Sequence, residues 1–171
     1  MLTVNIVCVG NLKEKFWIDA QNEYAKRLSK FCKLNIIELS EQNKFEDTEK
    51  ILQIEGEDII KHLNGKCILL DIGGKESSSE EFARQMQNIS LTCSVITFVI
   101  GSSYGVSKDV KDKIKDRLSF GRATYPHNLA RIILLEQVYR CFMINSGSKY
   151  HKWLKQIEKE WAKKCATEYN Y

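Results

Sequence analysis

Residues 95–105 read VITFVIGSSYG and give the clearest indication of the fold in this sequence. Its first six residues form an apolar run rich in β-branched side chains, which is typical of a strand buried on both faces. A turn that contains Gly101 and Gly105 follows at once. Two other apolar runs end in the same way, at Gly73 and Gly74 and at Gly121. The sequence therefore predicts three strands that each end in a glycine-bearing turn.

Outward from this stretch, short apolar runs alternate with longer stretches of helical period. We predict strands at residues 3–9, 34–39, 67–72, 95–100 and 117–120. Helices are predicted around residues 16–28, at 48–63, after Ser78 with Glu81 in a capping box, at 107–115 and at 129–144. This order indicates a doubly wound α/β fold, a parallel sheet with helices on both faces. Ligands of such sheets bind beyond the carboxyl ends of the strands, where the glycine turns lie.

The three turns exclude some ligands. None of them matches the G-x-G-x-x-G dinucleotide motif or a phosphate loop, so an ordinary dinucleotide or nucleoside triphosphate site is not expected. Each turn taken singly is also compatible with a plain strand-ending turn.

The bulk composition bounds the class of protein. The 171 residues suffice for one domain and are too few for two. The chain starts without a basic leader, and no apolar run approaches the ~20 residues of a membrane span, so we expect a cytoplasmic protein. The six cysteines lack zinc or redox spacing and indicate reduced core thiols, with no metal site.

Positive charge is concentrated in the C-terminal part of the chain. Residues 108–171 hold 14 Lys and Arg against 7 Asp and Glu, whereas residues 1–107 hold 12 against 15. Such a basic region suits a polyanion such as RNA. A solvated, lysine-rich helical surface is the alternative, and charge alone does not separate the two.

The motif-rich segment begins at Leu118. Residues 118–131 read LSFGRATYPHNLAR, and the chain continues as IILLEQVYRCFMINSGSKYHK to Lys152. With VCVGNLKEKFW at residues 7–17, LLDIGGK at 69–75 and FVIGSSYG at 98–105, this segment closely resembles the RlmH family. These are SPOUT-class methyltransferases that modify a pseudouridine of large-subunit ribosomal RNA. The resemblance covers residues 1–152 as one domain, and residues 153–171 form a C-terminal extension that is not typical of the family.

The resemblance implies a SPOUT-type, Rossmann-like fold with a C-terminal trefoil knot, S-adenosylmethionine as cofactor, and a homodimer in which each cofactor pocket lies close to the partner subunit. The family's cofactor contacts fall on Leu70, Gly101, Phe120, Gly121, Arg122, Ala123, Thr124 and Tyr125. These positions fall at the three strand-end turns. Ser102 replaces a second glycine that the family usually has, and we expect it to weaken cofactor binding at most.

The implied reaction is methyl transfer to the N3 atom of a pseudouridine in 23S ribosomal RNA, on the assembled ribosome. Such an enzyme must align the nucleophile, the methyl carbon and the sulfur, and must help to remove the imide proton. The catalytic candidates are His127, Arg140, Tyr150 and His151. His127 either orients the cofactor loop or acts as a base. Arg140 either stabilises the imide anion or pairs with Glu136 on the same helix.

RNA contacts are expected from basic residues around the pocket, namely Lys13, Lys15, Arg122, Arg131, Arg140, Lys149 and Lys152. Arg131 and Arg140 lie nine residues apart on one predicted helix, which turns them about 180° from each other. Both cannot face one subunit's site, so one of them is expected to serve the partner's site.

The extension carries Trp153, Ile157 and Trp161 at four-residue steps, the pattern of an amphipathic helix that either packs on the domain or its partner or contacts RNA. Two other functions compete with the methyltransferase. One is a non-catalytic RNA-binding or ribosome-assembly protein with the same fold, which Ser102 favours. The other is a flavodoxin-like binder of a phosphorylated small molecule, which the sheet and its glycine turns suggest.

Overall fold

The computed structural model describes residues 1–147, and residues 148–171 lie outside that part. Its strands are β1 (Thr3–Val9), β2 (Lys33–Leu39), β3 (Lys66–Glu76), β4 (Val95–Ile100) and β5 (Asp116–Ser119). They form one parallel sheet in the order β2-β1-β4-β3-β5. β1 and β4 lie inside this order and are covered on both faces, which explains their nearly continuous apolar sequences.

Within residues 1–147 the sheet is covered by five helices: α1 (Lys15–Leu28), α2 (Thr48–Lys61), α3 (Ser79–Thr92), α4 (Lys108–Lys113) and α5 (His127–Asn145). α5 packs against α1 and α3, whereas α2 packs against α4. Alternate residues of β1 meet these two layers, since Ile6 packs in the cluster that contains Leu134 of α5, and Val7 packs in the cluster that contains Ile59 of α2. This confirms the predicted α/β architecture with helices on both faces, while the trefoil knot stays a prediction.

Two local predictions are confirmed and one boundary is corrected. The weakly patterned fifth strand exists as β5, and α3 begins with the predicted capping box. In that box the Ser78 hydroxyl accepts from the Glu81 amide at 3.2 Å, and the Ser78 amide donates to the Glu81 carboxylate at 2.8 Å. The hydrogen bond from the Ser78 backbone lowers the pKa of Glu81. β3 runs beyond the predicted end at Ile72 because it pairs with β5 a second time after a register shift.

The cysteines in the described part are free thiols, as predicted, but only Cys8, Cys32 and Cys141 are buried in the core, whereas Cys67 and Cys93 are half-buried. Burial raises the pKa of Cys8 to about 12, of Cys32 to about 11 and of Cys141 to about 12, so these thiols stay protonated and unreactive at neutral pH. Cys165 lies outside the described residues. Within residues 1–147 no group of His, Cys, Asp or Glu side chains is arranged to hold a metal ion, and no helix there has the length and apolarity of a membrane span.

Candidate functional site

A cavity of about 750 Å³ lies at the carboxyl ends of the neighbouring strands β4, β3 and β5. Its volume falls in the ~300–1,000 Å³ range of small-molecule sites. The strand-end loops and the start of α5 line it with Leu69, Leu70, Asp71, Ile72, Ile100, Gly101, Ser102, Ser103, Gly105, Val106, Lys111, Leu118, Ser119, Phe120, Gly121, Ala123, Thr124, Tyr125, Pro126, His127 and Ala130. We call this space the loop cavity.

The first wall of the loop cavity is a bulge in β3, residues 71–74, which we call the β3 bulge. Leu70 and Lys75 both pair with Leu118 of β5, so the four residues between them loop out of the strand. The Asp71 carboxylate accepts from the Gly73 amide at 3.2 Å and forms an ion pair with Arg117 at 3.3 Å. A side chain at residue 74 would come within 2.8 Å of the Leu118 backbone, so glycine is required there.

The second wall is the turn of residues 101–105 after β4. The Ser102 amide donates to the Gly105 carbonyl at 3.1 Å, and the Gly105 amide donates back at 2.9 Å. A side chain on Gly101 would begin 2.3 Å from the Gly105 carbonyl oxygen, so the turn itself requires glycine at position 101. The Ser102 hydroxyl accepts from the Tyr104 amide at 3.4 Å. Ser102 is therefore engaged by its own turn, although it also lines the cavity.

The third wall follows β5. The Ser119 hydroxyl bonds to both the amide and the carbonyl of Gly121 at 3.1 Å. Gly121 has φ +107°, and a side chain built on it would meet nothing within 4 Å. Its backbone conformation, and not a lack of space, favours glycine there. The Arg122 side chain is exposed and does not line the cavity, unlike its neighbours.

His127, the first residue of α5, also lines the loop cavity. Its Nε2 atom is 3.2 Å from the place where a side chain on Gly10 would begin. Gly10 follows β1 and has φ +93°, so the loop after β1 approaches the imidazole closely. The loop cavity therefore adjoins a fourth strand end, that of β1.

Comparisons with known proteins agree with this geometry. A family model described as "Predicted SPOUT methyltransferase" matches residues 2–151. The chain belongs to the SPOUT methyltransferase family. Its relatives include proteins named ribosomal RNA large subunit methyltransferase H, from Lactobacillus helveticus (48% identical over 159 residues), Clostridium novyi (46% over 159) and Fusobacterium nucleatum (43% over 155). Each match covers 88% of this chain and 100% of the relative, which confirms the family resemblance.

Seven of the eight positions predicted from the SPOUT resemblance to contact the cofactor line the loop cavity. They are Leu70, Gly101, Phe120, Gly121, Ala123, Thr124 and Tyr125, and His127 joins them. Their convergence is observed, whereas their contact with a cofactor stays a prediction. Arg122, the eighth, is directed to the surface instead.

The position of Arg131 differs from the one that an RNA contact requires. Its side chain is fully buried, and its guanidinium donates to the Gly10 carbonyl at 2.7 Å and to Gln21 at 3.3 Å, and pairs with Glu38. A guanidinium buried and bonded in this way has no surface to offer an RNA phosphate, so the predicted RNA contact of Arg131 is wrong for this subunit. The side chain instead ties α5 to α1 and to the ends of β1 and β2.

Arg140 does not line the loop cavity. It pairs with Glu136, one turn earlier on α5, and the two side chains are 21% and 18% exposed. Glu136 also accepts from the Gln137 amide group at 2.8 Å. The structure thus contains the predicted ion pair between Arg140 and Glu136 on one helix, whereas a role of Arg140 at the partner's site stays a prediction.

The remaining predicted residues divide into two groups. Lys13 and Lys15 are exposed before and at the start of α1, where Lys15 pairs with Asp19 at 3.3 Å. The others lie outside the described residues, namely Lys149, Tyr150, His151, Lys152 and the extension from Trp153.

Two charged residues of the loop cavity, Asp71 and Lys111, are not among the residues predicted from the sequence. Asp71 follows a buried strand stretch directly, and its position at a strand end was a usable signal. Lys111 is one of several lysines in a short, strongly charged segment, and nothing in its spacing distinguishes it from them.

Proposed function

We propose that this SPOUT protein transfers a methyl group from S-adenosylmethionine to the N3 atom of a pseudouridine in 23S ribosomal RNA. The observation that carries the proposal is the loop cavity, in which three strand-end turns meet. Relatives at 43–48% identity bear the name ribosomal RNA large subunit methyltransferase H, which supports ribosomal RNA as the substrate.

The residues of the loop cavity fit S-adenosylmethionine. Leu70 and Phe120 offer apolar surface for an adenine ring, and the glycine turns leave backbone amides and carbonyls accessible for its polar edge. Asp71 and Lys111 add one carboxylate and one ammonium, which complement the charges of a methionine group. When bound, the cofactor supplies a methyl group activated by a sulfonium leaving group.

The residues proposed to act on the RNA base lie partly within residues 1–147 and partly in the C-terminal residues outside that range. His127 lines the cavity, and its proposed role is to hold the imide proton of a bound base or to orient the loop around that base. Arg140, Tyr150 and His151 complete the proposed catalytic set, and Arg140 serves the site of a partner subunit in a homodimer. The imide anion that forms is stabilised by positive charge near its oxygens.

The RNA is held by basic residues, which are the exposed Lys13, Lys15 and Arg122, together with Arg140, Lys149 and Lys152. Phosphate contacts of this kind supply affinity and little sequence information. Specificity then depends on the shape of the assembled ribosome, which places the reaction in the cytoplasm and makes free RNA a poor substrate. We also propose that the C-terminal part of the chain forms the trefoil knot that the family resemblance implies.

Two measurements test the function. Calorimetric titration of the purified protein with S-adenosylmethionine is expected to give saturable heat. Incubation with the labelled donor and ribosomes from a strain that lacks the modification is expected to label one pseudouridine, which mass spectrometry of RNA fragments identifies. Donor binding without any labelled RNA would contradict the proposed substrate. No saturable heat would favour the non-catalytic RNA-binding alternative.

A further inference from the structure

A second cavity, of about 620 Å³, lies beside the loop cavity. We call it the basic cleft. It is bounded by the β3 bulge, the start of β5 and one side of α3, with Ile68, Phe82 and Leu118 among its apolar residues. Asp71 and Ile72 of the bulge line the loop cavity, whereas Gly73 and Gly74 line the cleft. The four-residue bulge is therefore the partition between two cavities.

Positive charge dominates the basic cleft. Its charged lining consists of Lys66, Lys75, Lys115 and Arg117 against one carboxylate, Asp116. Lys66 pairs with Asp116 at 2.6 Å, and Arg117 pairs through the partition with Asp71 at 3.3 Å. These side chains are 22–53% exposed, and such ion pairs contribute only ~0–1 kcal/mol, so both cations stay available to a polyanion.

The other two cations of the cleft, Lys75 and Lys115, are less strongly ion-paired than Lys66 and Arg117. Lys75 forms no ion pair at contact distance within residues 1–147, although, together with the hydrogen bond from the Ser78 backbone, its charge helps to lower the pKa of the Glu81 carboxyl. Lys115 approaches Asp112 at 3.9 Å, with both side chains more than half exposed. The cleft consequently presents excess positive charge toward solvent.

Neutral hydrogen-bond donors accompany these cations. The Ser77 hydroxyl is enclosed and has no hydrogen-bond partner in the described part of the chain. The side-chain amides of Gln85 and Asn88 line the same cleft. Buried polar groups of folded proteins nearly always find a partner, so an oxygen from outside the protein is expected at Ser77. Ammonium, guanidinium, amide and hydroxyl donors together match the oxygens of a phosphodiester.

We propose that the basic cleft binds backbone phosphates of the RNA substrate, next to the cavity where the methyl group is transferred. The proposal rests on the proposed function, since it requires an RNA substrate. The ion pair between Asp71 and Arg117 joins the two cavities across the β3 bulge, so RNA held in the cleft is fixed at a short distance from the loop cavity. Contacts of this kind set the orientation of the RNA and carry no sequence information.

The test compares two double variants with the same change of charge. Lys75→Gln/Lys115→Gln removes two cations of the cleft. The matched control is Lys30→Gln/Lys44→Gln, at two exposed lysines that line neither cavity. Binding of fluorescently labelled large ribosomal subunits is measured by titration at several salt concentrations, and calorimetry with S-adenosylmethionine is run beside it.

Each lost phosphate contact lowers the slope of log affinity against log salt by about one, so the cleft variant is expected to lose about two. At ~0.1 M salt this corresponds to a loss of affinity on the order of 10- to 100-fold. The control variant is expected to keep the wild-type slope, donor binding is expected to be unchanged in both, and Lys75→Arg/Lys115→Arg is expected to restore the slope.

Equal slopes for the cleft variant and the control would overturn the proposal. So would a wild-type protein whose binding to the subunits does not depend on salt. A failure of methyl transfer by the wild type would instead refute the proposed function, because the titration does not depend on transfer. The two failures are therefore distinguishable.

Discussion

Replacing Arg131 by Met removes a guanidinium that is fully buried and that joins four elements of the fold. The change leaves the Gly10 carbonyl without its donor at 2.7 Å, and it leaves Glu38 without its ion-pair partner. Breaking a buried ion pair costs ~3–5 kcal/mol. The Glu38 side chain is 33% exposed and is rehydrated in part, so we expect a loss near the lower end, ~3 kcal/mol.

The assay is urea unfolding at a fixed protein concentration, followed by far-UV circular dichroism. In a separate thermal unfolding experiment the same loss is expected to lower the melting temperature of a domain of this size by roughly 6–12 °C. A double-mutant cycle with Glu38→Gln isolates the pair, and we expect the two changes to be less than additive by ~0.5–3 kcal/mol. The matched control is Arg122→Met, an exposed arginine, which is expected to change stability by less than ~0.5 kcal/mol.

The same variants separate a structural role from RNA binding. We expect Arg131→Met, measured where it is fully folded, to keep the wild-type salt dependence of ribosome binding. Arg122→Met is expected to lower that slope by about one. A stability loss under ~1 kcal/mol for Arg131→Met, combined with a reduced slope, would contradict a structural role for Arg131, because it would mean that the guanidinium leaves the interior to contact RNA.

Three further results are expected. Gly101→Ala places a methyl group 2.3 Å from the Gly105 carbonyl oxygen, so the turn must shift. Calorimetry should then show that the affinity for S-adenosylmethionine is reduced by about tenfold or more, ~1.4 kcal/mol. Unchanged affinity would mean that this turn does not contact the cofactor. Ser78→Ala removes the capping hydroxyl and should cost ~1 kcal/mol in urea unfolding, with Ser78→Thr retaining most of the stability; an equal loss in both variants would contradict the capping role. Burial raises the pKa of the Cys8 and Cys141 thiols to about 12 from an ordinary value of 9.0, so the stability they contribute is complete below pH 9 and is lost as the pH rises toward 12. Between pH 9 and 11 the urea midpoint of the wild type should therefore fall more than that of Cys8→Ala/Cys141→Ala. Parallel declines of the two midpoints would contradict a contribution of these thiols to the pH dependence.

Much of the site follows from local sequence. The turns at Gly73, Gly101 and Gly121 were predicted to line one pocket because the carboxyl ends of parallel strands share one edge of a sheet, and the structure has all but Gly73 in the loop cavity. Gly73 instead lines the basic cleft, on the far side of the β3 bulge. The local pattern does not reveal that bulge, because a register shift depends on the partner strand β5 and on the close approach of Gly74 to its backbone.

The order of strands and helices can be predicted from the sequence, because residue alternation and helical period are properties of short segments. The α3 cap is equally local, since Ser78 and Glu81 interact within one turn. The direction of the Arg131 side chain, in contrast, depends on how the elements pack together. α5 packs against α1, α3 and the sheet and is apolar on several sides, so its sequence has no single buried face to read. The partners of Arg131 lie on α1, on β2 and directly after β1, 93 to 121 residues away in the chain, and folding alone brings them together.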